Sequence, residues 1–192
     1  FNLRSIGLAT ALGLGSIALI GCTTTTNDSQ ATPAVSRASM ETSVDETLSR
    51  LYSTVPGTRE MVSNAAGVLV FPAVVGGSFV VGAEHGRGAL RVGGQTVAYY
   101  SITGASIGFQ AGGQSRSVIY VFNTQEALQK FRASNGWTAG ADATVAVGTV
   151  GANGRVDTKT LQQPITSFTL TNVGLEAGVS VGGGRITPIS LP

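Results

Sequence analysis

The chain has 192 residues with 12 basic and 10 acidic side chains, a formal net charge of +2, and a charged fraction of 11%, under half of the usual quarter or so. No two basic residues are adjacent, which argues against the clustered basic surface that nucleic-acid binding requires. A single histidine excludes a His-rich metal site.

Phe1 to Arg4 form a short polar start with one positive side chain, and Ile6 to Ile20 an apolar run. That run is too short for a spanning helix, which needs about 20 apolar residues to cross roughly 30 Å of hydrocarbon, and it has the plan of a secretory signal. Its exit, Leu19-Ile20-Gly21-Cys22, carries the only cysteine and resembles the lipobox of bacterial lipoproteins. The resemblance implies acylation of the Cys22 sulfur and cleavage before it, leaving residues 1–21 as signal peptide. Thr23, where aspartate would favour inner-membrane retention, implies the outer membrane. Removing Arg4 with the signal leaves 11 basic and 10 acidic side chains, a balance of +1, so any anionic partner has to be held by local contacts.

Residues 22–40 are rich in Thr, Ser, Ala and Pro, carry little that could fill a core, and read as a lipidated start and flexible tether. Residues 41–192 are the size of one domain. Ser43 with Glu46 three residues on makes a capping box, followed by Val44, Leu48 and Leu51 at helical spacing. Pro56 starts a second short helix running to about Ala65. Ten Val-, Ile-, Phe- and Tyr-rich segments divided by glycines then read as strands: GVLVFP, SFVVGAE, GALRV, QTVAYYSI, ASIGFQAG, SVIYVF, ATVAVG, SFTLTN, EAGVSV and RITPIS. Glycines inside them, such as Gly108 and Gly178, mark bulges or close backbone approach. One helix interrupts the strands from Thr124 to about Arg132, with an Asn123 or Thr124 cap. The fold class is α+β, predominantly antiparallel β, a sandwich- or barrel-like curved sheet with short N-terminal helices and one inserted helix.

Four blocks in order, Ala65 to Gly88, Gly104 to Phe131, Trp137 to Gly151 and the terminal GLEAGVSVGGG, resemble the SYLF domain, also called the Ysc84 or Las17-binding-protein actin-regulator domain. The resemblance implies a membrane-lipid-binding module. Eukaryotic relatives bind phosphoinositides and in some cases actin filaments, and bacterial relatives are exported lipoproteins; actin has no place in a bacterial envelope. The family often has a lysine before Ala-Gly-Phe where this chain has Gly76-Gly77-Ser78-Phe79, and the segment SVDETLSRLYSTV is acidic where some relatives carry a basic amphipathic helix.

No catalytic residues come with the resemblance, and the residues themselves supply none. The best pairing is Glu84-His85, read as lying in a turn between two strands with His85 capping it in solvent, and there is no Gly-x-Ser-x-Gly elbow. The run GTVGANG, Gly148 to Gly154, lacks the Lys and the following helix of a phosphate-cradling loop and reads as a turn. Asp142 reads as a buried acid satisfied by backbone donors. Arg87, flanked by glycines as in the family, and Arg91, Arg116 and Arg185 at strand edges are the candidates for anionic headgroups, since a guanidinium holds a phosphate by two parallel hydrogen bonds. Apolar surface near Phe79 or Tyr99 completes that expectation. No cofactor and no metal site are expected. The alternative partner is an envelope protein bound at an edge or groove by an adaptor domain that recognises no lipid.

Overall fold

A computed structural model describes residues 35–77, 81–107, 114–172, 174–175 and 184–192. Cys22, Phe79, Gly108 and Gly178 lie outside the described residues, as does all of EAGVSV. The elements run α1 (Arg37–Thr54), α2 (Thr58–Asn64), β1 (Gly67–Gly77), β2 (Val81–Val92), β3 (Gln95–Ile107), β4 (Gln114–Phe122), α3 (Gln125–Ala133), β5 (Trp137–Thr138), β6 (Ala146–Val147), α4 (Thr158–Leu161), β7 (Ile165–Thr171), β8 (Gly174–Leu175) and β9 (Arg185–Ile189). Among the described residues, the strands form one curled sheet in the order β5-β9-β3-β2-β1-β4-β7-β6, with β8 beside β7. Every pairing is antiparallel except β6 with β7. The α+β class expected from the sequence is the one observed.

The central strands are buried on both faces, which is why GVLVFP and SVIYVF are unbroken apolar runs rather than alternating ones. On one face Leu69, Phe71 and Val74 of β1 join Val118, Tyr120 and Phe122 of β4. There α3 contributes Leu128 and Phe131, and Trp137 packs edge-on to Tyr120 and Phe131 at ring separations of 5.8 and 5.5 Å. On the other face Met40, Val44, Leu48 and Leu51 of α1 cover Val68, Val70, Ile119, Val121, Phe168 and Leu170. Spacings of four, four and three put those helix residues on one stripe.

Several local expectations are corrected. The cap of α1 is Ser36, whose Oγ accepts the Ser39 N–H at 3.2 Å, so Arg37 to Met40 are helix rather than tether and Ser43 lies inside it. Burial of Met40 beneath that first turn decides it. Helix α2 starts at Thr58 rather than Pro56, because Gly57 takes φ +95° and the buried Thr58 hydroxyl donates to Val55 O at 2.7 Å. The described part of SFVVGAE, Val81 to Glu84, and GALRV belong to a single strand, β2, since Gly86 and Gly88 do not break it. A Cβ on Gly88 would stand 2.6 Å from Phe71 Cδ1, and one on Gly86 2.8 Å from Ala73 O, so these glycines let β1 approach at its bulge between Val70 and Ala73. ATVAVG contributes only the two residues of β6.

Candidate functional site

Arg91, near the end of β2, faces α1. Its Nη2 lies 2.8 Å from Glu41 Oε2 and its Nη1 2.5 Å from Asp45 Oδ1, two carboxylates one helical turn apart. From β3, Thr96 Oγ1 donates to Glu41 Oε2 at 2.7 Å and Tyr99 OH to Oε1 at 3.0 Å. Burial pushes the Glu41 carboxyl up, but the donors Thr96, Arg91 and Tyr99 outweigh it and hold the group below its ordinary value. Arg91 therefore docks α1 to the sheet and is not turned toward a headgroup.

Arg116 is likewise engaged, with Nη2 2.5 Å from Glu84 Oε2. The two reach across β1 where Gly76, opposite both Glu84 and Gln114, puts no side chain between them. Beneath them deep burial raises the proton affinity of the Tyr120 phenol, which Arg116 opposes and Glu84 reinforces. The pair closes one end of the aromatic core. Consecutive strand residues point to opposite faces, so Glu84 and His85 are separated by the sheet and form no catalytic pairing. His85 is not in a turn; it stands mid-strand and exposed.

The register brings the two remaining arginines onto one surface. Among the described residues nothing covers the sheet face beyond α1, and two rows cross it. Ser115, Val75, His85, Thr103 and Arg185 pair in succession from β4 through β1, β2 and β3 to β9. Ala73, Arg87, Ser101 and Thr187 form the adjacent row. Val75 is 54% exposed, and Arg87, His85, Thr103 and Arg185 are all exposed. Neither row contains a carboxylate. Ser101 and Thr187 hydroxyls share a 3.0 Å hydrogen bond, while Arg185 lies across Gly136, where a Cβ would stand 2.7 Å from its Cζ. Arg37 borders the face, its guanidinium 6.0 Å from the Tyr99 ring and its Nε donating to Leu191 O at 3.0 Å. A period of two through His85 and Arg87 is the sequence signal for this alignment, and the flanking Gly86 and Gly88, which look like turn residues, mask it.

The other candidates are structural. A cleft of about 480 Å³ has Trp137, Pro164 and Ile165 among its lining, but Lys130 at its rim is paired with Glu126 at 2.7 Å. Asp142, also lining it, is exposed rather than buried, and its Oδ2 accepts the Thr138 N–H at 2.6 Å as a turn residue can. In GTVGANG, Gly148 is required because a Cβ there would stand 2.5 Å from Phe168 Cδ1, and Gly151 N donates to Arg155 O within a turn. Among the described residues no helix is long and apolar enough to cross a membrane.

Residues 103–190 match the family model described as Las17-binding protein actin regulator, Ysc84. That segment is a match to the SYLF domain of that family. Among curated proteins, none matches the chain. The SYLF match begins inside β3 and takes in Arg116 and Arg185, whereas β1 and β2, with Arg87 and Arg91, precede it. The Ala65–Gly88 block that resembles SYLF sequences is nonetheless the centre of the same sheet.

Proposed function

We propose that the protein is a non-enzymatic lipoprotein of the bacterial envelope, anchored through acylated Cys22 in the outer membrane, whose SYLF domain contacts membrane lipid. The observation that carries the anchor is the LIGC exit after a short apolar run. The observation that supports lipid contact is the acid-free sheet face with Arg87 and Arg185, joined to the match to a family whose resemblance implies lipid binding. Two or three acyl chains on Cys22 make attachment effectively permanent, each buried methylene contributing roughly 0.8 kcal/mol, so the domain's part is orientation and recognition rather than retention. Metabolic labelling with a palmitate analogue tests the anchor: the wild type takes the label and Cys22→Ser does not. Equal labelling of both would refute it.

A further inference from the structure

Resting on that reading, we infer which surface meets the bilayer: the sheet face that α1 leaves uncovered lies flat on anionic headgroups, with Arg87, Arg185 and Arg37 as its contacts and Val75 as its apolar element.

Three observations carry this. The first is charge. The two crossing rows hold Arg87, Arg185 and His85 and no carboxylate, although the whole chain is close to neutral. Of the acids bordering the face, Glu41 is engaged by Arg91, Thr96 and Tyr99, Glu84 points through the sheet to Arg116, and Asp142 accepts the N–H of Thr138, the β5 partner of Arg185. A cationic surface set in a neutral protein attracts anions only at contact range, since the field of scattered charges is screened within about 8 Å at physiological salt. The second is composition. The remainder of the two rows is Ala73 and Ser101, Thr103, Ser115 and Thr187, whose short hydroxyl side chains bond phosphate and glycerol oxygens, with the exposed Val75 among them. Two strand spacings and two residues separate Arg87 from Arg185, which places their Cα atoms about 12 Å apart, so each reaches a separate headgroup.

The third is the point of attachment. Arg37 N donates to Pro192 O at 3.4 Å, and its guanidinium lies by Tyr99, which pairs with Ile189 one row away from Ser101 and Thr187. The chain therefore enters the domain at the border of the basic face. From Cys22 to Val35 is thirteen residues, at most about 45 Å when fully extended. The described chain thus begins beside this face and not at the far end of α1.

The test uses the full chain purified with its anchor. Acylation occupies the Cys22 sulfur, so a maleimide fluorophore labels only a newly introduced cysteine; a parent chain that takes label shows that the anchor reading has failed, independently of the face. Thr103→Cys on the face and Ser63→Cys on α2 are labelled separately. Each is reconstituted into vesicles of phosphatidylcholine, alone or mixed with phosphatidylglycerol, with a lipid-borne quencher. The expected result is quenching at Thr103→Cys in the anionic vesicles only, and none at Ser63→Cys in either. Arg87→Ala and Arg185→Ala each lower the equilibrium constant for docking about fivefold, the equivalent of roughly 1 kcal/mol per basic residue at an anionic surface. Quenching at Ser63→Cys, equal quenching in neutral vesicles, or a docking constant unchanged in the double arginine variant would each overturn the proposal. Silence in vesicles with protection of Thr103→Cys in intact envelopes would overturn it in favour of a protein partner.

Discussion

Arg91 and Glu41 meet across the seam between β2 and α1, Nη2 to Oε2 at 2.8 Å, with Asp45 taking the second Nη. The contact ties the first turns of α1 to the sheet from the side opposite the apolar stripe's far end at Leu51. Arg91→Ala leaves Glu41 half-buried among Thr96 and Tyr99 without its cation. The expected loss is about 1–3 kcal/mol of stability, read from denaturant midpoints, with docking to anionic vesicles retained. A variant as stable as wild type that fails to dock would mean that Arg91 is a headgroup ligand after all.

The same carboxylate sets an acid limb. Because the folded-state pKa of Glu41 lies below its ordinary value of 4.5, its contribution is fully present above that value and is lost as pH falls through the lowered one. Midpoints of wild type and Glu41→Gln should differ by a constant amount from neutrality to about pH 5 and converge below 4.5. Curves that stay parallel throughout the acid range would remove Glu41 from the linkage.

Much of this fold was legible. Thr124 caps α3 by accepting the Ala127 N–H at 3.2 Å, as its side chain promised, and the apolar runs of β1, β4, β7 and β9 are strands. What was not legible depended on partners distant in sequence. Gly86 and Gly88 look like punctuation until β1 is laid against them, and the pairing of Glu84 with Arg116 needs a third strand to bring them together. Of the four candidate arginines, Arg87 and Arg91 share one face of β2, and only the cover of α1, which reaches Arg91 through Glu41 and Asp45, separates them, so sequence position alone could not show which would be left with Arg185 on the open face.

Glycine positions where a side chain has no room should be intolerant. Gly88→Ala forces a methyl against Phe71 and the backbone of Val70, and Gly148→Ala against the Phe168 ring. Each should cost about 1–3 kcal/mol or prevent folding. Thermal unfolding decides, and wild-type midpoints for both would show that the bulge and the β6 strand end relax freely.

Phe131 bridges three rings, 4.9 Å from Tyr100, 4.9 Å from Phe122 and 5.5 Å from Trp137. Phe131→Ala should destabilise by about 3–5 kcal/mol. Emission from Trp137, the sole tryptophan and 3% exposed, should move to the red as water enters the core. An unshifted spectrum with an unchanged midpoint would show that α3 does not seal that face.

The order of strands has a consequence for how the chain reaches this state. The two earliest strands, β1 and β2, end in the middle of the sheet, and the partner of β3 on its outer side is β9, with Tyr99 paired to Ile189 ninety residues later. A chain emerging from its N-terminus forms the β1–β2 hairpin first and then holds two unsatisfied apolar edges until β3 and β4 arrive. Closure between such distant segments makes folding slow. The vulnerable species is thus a chain that lacks its last strand: truncation ahead of Arg185 leaves β3 as an open template for pairing between molecules, and self-association rather than simple unfolding is its fate.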